Sequence, residues 1–160
     1  MTFIRRIRIP LRNRLPNAPL GFVGRERESD WLREALHRSP LAIIRGPAGI
    51  GKTAFVLHAL AQVFSESAHQ TLFVPIRPGE PADQVRLNIA HALVQATDAD
   101  DEVDLAGMRG DPEDIVACAL DLAELGPFRV VIDDLQYSDA EEMRELLRQL
   151  AAYARTSQWI

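Results

Sequence analysis

The sequence predicts an α/β domain built on a parallel sheet, and three observations predict it. Three short, unbroken apolar runs, LAIIR (Leu41–Arg45), TLFVPI (Thr71–Ile76) and RVVID (Arg129–Asp133), have the composition of strands covered on both faces. Segments with helical spacing follow each run, the alternation that generates βαβ units. Glycine, proline and aspartate punctuate the joints between them.

Along the chain, residues 1–20 form a basic arm ahead of a domain over residues 21–160. The arm carries Arg5, Arg6, Arg8, Arg12 and Arg14 with no acid, and Pro10 and Pro16 interrupt it. A solvated extension is one reading, and contact with the phosphates of DNA or with anionic lipid is the other. Glu26–His37 has helical spacing, with Trp31, Leu32, Ala35 and Leu36 on one face, and Ser39-Pro40 breaks it. Helices are predicted over Lys52–Phe64 and Pro81–Ala96, the latter with Val85, Ile89, Leu93 and Val94 inward. Asp98–Asp104 reads as a solvated acidic loop, because the glycine and ligand spacing of a calcium loop are missing. Asp111-Pro112 supplies an N-cap and a first-turn proline for a helix to Leu125, which Gly126 ends. Ser138 with Glu141 predicts a capping box opening a last helix from Asp139 to about Tyr153.

Apolar residues at 47% and charged residues at 26% exclude a wholly disordered chain. Cys118, the single cysteine, excludes an internal disulfide and fits a reducing compartment; its place in IVACAL is that of a small buried residue. No stretch approaches the roughly 18 apolar residues that a membrane span needs, and the arm lacks the apolar core of a secretory signal. A cytoplasmic protein without a membrane partner is expected. His37, His58, His69 and His91 show no metal-ligand spacing.

The most informative stretch is RGPAGIGKTAFVL. Gly46-Pro47-Ala48-Gly49-Ile50-Gly51-Lys52-Thr53 satisfies G-x-x-x-x-G-K-[ST], between an apolar run and a predicted helix. A loop can wrap a triphosphate with its backbone amides only where Cβ atoms are absent, and the following helix adds its open N–H groups. Lys52 would place its ammonium on the β- and γ-phosphates, and Thr53 would offer its hydroxyl to Mg²⁺. A glycine-rich strand-to-helix turn would need none of this. Yet Lys52 is the single lysine among the chain's 18 basic residues, and a planar guanidinium does not imitate that compact charge. RVVIDD supplies the complementary acids. Asp133 closes a buried run where it can hold Mg²⁺ through water, and Asp134 can polarise an attacking water.

GFVGRERESDWL, GPAGIGKT and VVIDDLQYSDAE, in that order, resemble the signal-transduction ATPases with numerous domains (STAND) and related AAA-type ATPase domains of bacterial regulators. The resemblance covers about Gly21 to Tyr153. It implies a three-layer P-loop NTPase sandwich with a parallel sheet, in the family's own strand order 5-1-4-3-2. It places Gly24, Arg25 and Glu28 near the adenine and the nucleotide-binding helix, Gly46–Thr53 on phosphates and Mg²⁺, and Asp133 on the metal. Asp134 stands where many relatives have a catalytic glutamate. The chain departs from the family by stopping at Gln158-Trp159-Ile160, which can only begin the fourth strand. An incomplete ATPase domain is therefore expected, with sensor, arginine finger and lid lying beyond it.

The implied function is Mg-ATP binding with slow hydrolysis, as a molecular switch in a multidomain regulator. ATP follows from the resemblance, since no guanine-reading N/T-K-x-D motif occurs. The alternatives are a nucleotide-binding interaction module with negligible turnover, or an inactive truncated remnant. Partners are expected to be nucleotide, and other proteins or further copies through missing domains. DNA rests only on the arm and on the resemblance.

Overall fold

The computed structural model describes residues 15–63, 69–97 and 112–160. Residues 1–14 of the basic arm, the acidic loop Asp98–Asp104 and Asp111 lie outside the described residues. In chain order the elements are α1 (Glu26–Arg38), α2 (Lys52–Val63), β1 (Gln70–Pro75), α3 (Ala82–Thr97), α4 (Pro112–Glu124), β2 (Phe128–Asp133), a 3-10 turn (Leu135–Tyr137), α5 (Ala140–Tyr153) and β3 (Gln158–Trp159).

All named strand pairs are parallel. β1 runs beside β2 in the register Leu72↔Val130 and Val74↔Ile132, ending at Pro75↔Asp133, and β2 runs beside β3 at Val130↔Trp159. Leu41 then bridges to Trp159 in parallel. Trp159 turns its amide to Pro40 O (2.7 Å) and its carbonyl to Ala42 N (2.9 Å), whereas Ile160 bonds Val130 O and Ile132 N on the β2 side. The segment at Leu41 therefore flanks β3 on the edge away from β2.

Side-chain alternation with period two divides the core. Leu72, Val74, Ile76, Val130, Ile132 and Trp159 face a cluster built from α3, α4 and α5. Phe73, Val131 and Ile160 face the other, with Leu32 and Leu36 of α1 and Phe55 and Val56 of α2. The sheet is thus covered on both faces, which is why its strands read as continuous apolar runs.

Several local expectations change. LAIIR is not a named strand: Leu41 bridges to Trp159 and Ala42 N donates to Trp159 O, while residues 43–45 have no strand assignment. Trp31 is 51% exposed, since the sheet reaches only Leu32 and Leu36 on α1. Gly126 does not adopt the left-handed backbone of a helix stop. A Cβ there would lie 3.3 Å from the Phe128 ring, a tight contact to which the ring would have to yield by a few tenths of an ångström. Cys118 is only partly buried, and burial, then Asp121, pushes its thiol up, away from the reactive thiolate.

The cap of α5 also moves by one residue. Asp139, not Ser138, closes the helix: its carboxylate accepts from Glu141 N (2.9 Å) and Glu142 N (3.0 Å). A carboxylate satisfies two open amides and also meets the positive end of the helix, which a hydroxyl does less well. Ser138 instead donates its hydroxyl to Glu80 O at 3.2 Å. Asp139→Ala should cost about 1 kcal/mol of stability and lower the melting temperature by about 2–4 °C. A thermal melt in which Asp139→Ala matches the parent would contradict this cap assignment.

Candidate functional site

The loop between the Leu41 bridge and α2 is shaped by two glycines with left-handed backbone, Gly49 (φ 76°) and Gly51 (φ 84°). A side chain at either position would be strained, so the sharp path into α2 requires glycine. The helix opens with Phe55 N donating to Gly51 O (2.8 Å), which leaves the amides ahead of it without intrahelical acceptors. No acidic residue occupies the first turn of α2, so its positive end is not neutralised from within.

Lys52 curls back over this loop. Its Nζ donates to Gly46 O and to Pro47 O, both at 3.1 Å, which holds the ammonium inside the arc of the loop. Gly46 through Ile50 are exposed, so Pro47, Ala48 and Gly49 border solvent.

Thr53 brings in the second half of the site. Its hydroxyl lies 2.9 Å from Asp133 Oδ2 and 3.1 Å from Oδ1, a contact across 80 residues. Asp133 Oδ1 also accepts from Asp134 N at 3.0 Å. The carboxylate at the end of β2 is therefore fixed against the start of α2. Lys52, Thr53, Asp133 and Asp134 share the wall of a cavity of about 70 Å³ with Trp159 and Ile160. That is far below the ~300 Å³ or more of a typical ligand pocket, so a nucleotide-sized ligand would have to lie over the exposed loop.

Asp134 is held differently. Its backbone is left-handed (φ 63°, ψ 36°), and its Oδ1 accepts from Gln136 Nε2 at 2.8 Å. Among the described residues only Arg25 (φ 63°) shares that conformation without being glycine. Such backbone costs about 1–2 kcal/mol, and strain of this kind concentrates at functional sites. Arg25 follows Gly24 (φ 89°), precedes α1, and reaches across to donate from Nη2 to Ile50 O at 2.7 Å. Three residues before Arg25 in the same segment, the Phe22 ring sits against the His58 ring on α2, with centroids 4.6 Å apart. Gly24 and Arg25 thus belong to a segment bonded to the loop and stacked on its helix. No local pattern announces the Phe22–His58 contact, because only the tertiary packing of α1 on α2 creates it.

The family model described as AAA ATPase domain matches residues 21–158. The chain belongs to the AAA ATPase domain family. The matched span includes the loop, the Arg25 segment and the Asp133–Asp134 pair. No curated protein and no solved structure matches the chain at a significant level. Membership in the AAA ATPase domain family suggests nucleotide binding and ATPase activity, usually with Mg²⁺. The small parallel sheet, flanked by helices, is consistent with an α/β P-loop-like fold. Among the described residues of this AAA ATPase domain, no helix is long and apolar enough to cross a membrane. No group of three or more His, Cys, Asp or Glu is placed there to hold a metal ion.

Proposed function

We propose that this AAA ATPase domain binds Mg²⁺-ATP on the Gly46–Thr53 loop and hydrolyses it slowly, serving as the switch of a multidomain regulator of the STAND kind. The observation that carries the reading is the Thr53–Asp133 contact, at 2.9 and 3.1 Å. A hydroxyl and a carboxylate meeting at the mouth of a glycine loop are two oxygen donors for a hard cation that keeps most of its waters. Mg²⁺ bound there supplies charge neutralisation at the phosphate oxygens. The loop amides and the N-terminus of α2 bind the phosphates, Lys52 adds a point charge, and Arg25 steadies the loop through Ile50. Asp133 would hold the metal through water, and Asp134 would serve as the base for an attacking water.

The test is equilibrium binding of a non-hydrolysable ATP analogue, with and without Mg²⁺, in the parent and in Asp133→Asn. The parent should bind more tightly with Mg²⁺, and Asp133→Asn should lose most of that gain. Equal affinity with and without the metal in the parent would remove the reading.

A second reading, a nucleotide-binding module with negligible turnover, is favoured by one observation. Gln136 already occupies an oxygen of Asp134, whose left-handed backbone is committed to the turn. Asp134→Asn separates the two: lost turnover with retained binding supports an enzyme, while absent turnover in the parent supports a module. Partner proteins or self-association would transmit the bound state in either reading. A DNA partner would engage the arginines of the arm and weaken with salt.

A further inference from the structure

A groove between α4 and α5 lies apart from the glycine loop and its acids. It encloses about 770 Å³, and its apolar lining comes from Val116 and Leu120 of α4 and from Ala152 and Tyr153 of α5. Tyr153 is 67% exposed, and Leu125, next to the groove residue Glu124, is 69% exposed. Two large apolar side chains therefore stand in water beside a concave surface, which is a feature of docking sites. The surroundings of the groove are acidic. α4 carries Glu113, Asp114, Asp121 and Glu124 and no base. α5 sets Glu141, Glu142 and Glu145 against Arg144 and Arg148, and both arginines are already engaged on their own helix, Arg144 by Glu141 and Arg148 by Glu145. Arg155 also lines the groove and offsets one of these acids. Asp114 and Asp121 have no ion pair among the described residues.

The chain carries the complement of this surface in its own basic arm. Residues 1–14 hold five arginines and no acid, and Arg6, Ile7, Arg8 and Ile9 alternate ahead of Leu11 and Arg12. In an extended segment such alternation sends Ile7, Ile9 and Leu11 to one side and the arginines to the other. The long arginine stems can still carry their charged ends to the rim of a groove. Where the arm joins the domain favours a neighbour's groove over its own. Leu15 packs with the α1–α2 cluster, on the opposite face of the sheet from α4 and α5. Ile7 is eight residues before Leu15, a reach of at most about 28 Å. A path from one face to the other must pass around the sheet and two helix layers of about 10 Å each.

We propose that the arm of one chain docks in the α4–α5 groove of a second copy, with Ile7, Ile9 and Leu11 on the apolar lining and the arginines against the acids of α4 and α5. Apolar burial holds the segment, and the charges select a basic peptide and speed its encounter. The contact joins two different surfaces, so it is head-to-tail and closes into a ring or extends into a filament according to the rotation between copies. It uses none of Lys52, Thr53, Asp133 or Asp134 and stands independently of the nucleotide reading.

The test is analytical ultracentrifugation of the full chain over a range of concentrations. It compares the parent with an arm variant (Arg6→Ala, Arg8→Ala, Arg12→Ala) and a groove variant (Ala117→Lys, Asp121→Lys). The parent should self-associate, and less so when salt rises from about 50 to about 500 mM. Either variant should weaken association by about tenfold or more. Ala117 and Asp121 are exposed, so the melt of the groove variant should overlay the parent's and show that the fold survives. A charge exchange adds a specific readout. A chain with Arg6→Glu, Arg8→Glu and Arg12→Glu should associate with the groove variant when the two are mixed, more strongly than it does alone. A parent that stays monomeric at every concentration overturns the proposal, and so does association that survives either variant undiminished.

Discussion

Replacing Lys52 by alanine is expected to lower affinity for an ATP analogue by about 10- to 100-fold, the equivalent of one or two charge-assisted hydrogen bonds. The ammonium already spans the loop, donating to Gly46 O and Pro47 O. Alanine removes the positive charge and the clamp that draws those carbonyls together. Lys52→Arg keeps a charge but not its compact shape, so it should rescue little. The side chain contributes no buried apolar contact to either cluster. Melting temperature should therefore stay close to the parent's, which separates a lost ligand from a lost fold. Isothermal titration with Mg²⁺ present reads the difference, and undiminished affinity in Lys52→Ala would exclude the loop as the phosphate site.

The largest effect on stability is expected at Trp159. Its side chain is fully buried, in the cluster with α3, α4 and α5, while its backbone bridges to Leu41 on one side and its strand pairs with β2 on the other. Trp159→Ala should cost about 3–5 kcal/mol and lower the melting temperature by about 10 °C. The indole Nε1 is buried without a partner among the described residues, a standing cost of about 1–3 kcal/mol. Trp159→Phe leaves that orphan donor out and keeps most of the apolar area, so it should be clearly milder than alanine. Denaturant melts of both variants decide the matter: a loss in Trp159→Phe as large as in Trp159→Ala would contradict the packing role given to the ring.

Much of the architecture was legible because the sheet is covered on both faces. TLFVPI and RVVID read as strands within a residue of their observed bounds, since unbroken apolar runs arise when helices pack above and below. LAIIR had the same composition but contributes only the Leu41 bridge, and how far two segments pair is not a local property. Trp31 has the spacing of a core residue, but the width of the covered stripe depends on how α1 lies against the sheet. At the start of α5, Ser138 and Asp139 are both competent caps, and the backbone path decides between them. Within the site, spacing alone located the glycine loop and the acids. The 80-residue link between Thr53 and Asp133 could be expected only because motif chemistry demands both near one ion. Neither the Arg25 bond to Ile50 O nor the left-handed turn at Asp134 has any local signature beyond residue type.

The contrasting surroundings of the two indoles give the molecule its own optical gauge. Trp159 is sealed at the joint between the loop-bearing and acid-bearing segments, whereas Trp31 is half in water. Shielded indole emits at shorter wavelength than hydrated indole, so the fluorescence band is a blend of two colours. Its blue component belongs to the joint, and any slackening between the segments would register there as a red drift while Trp31 holds steady.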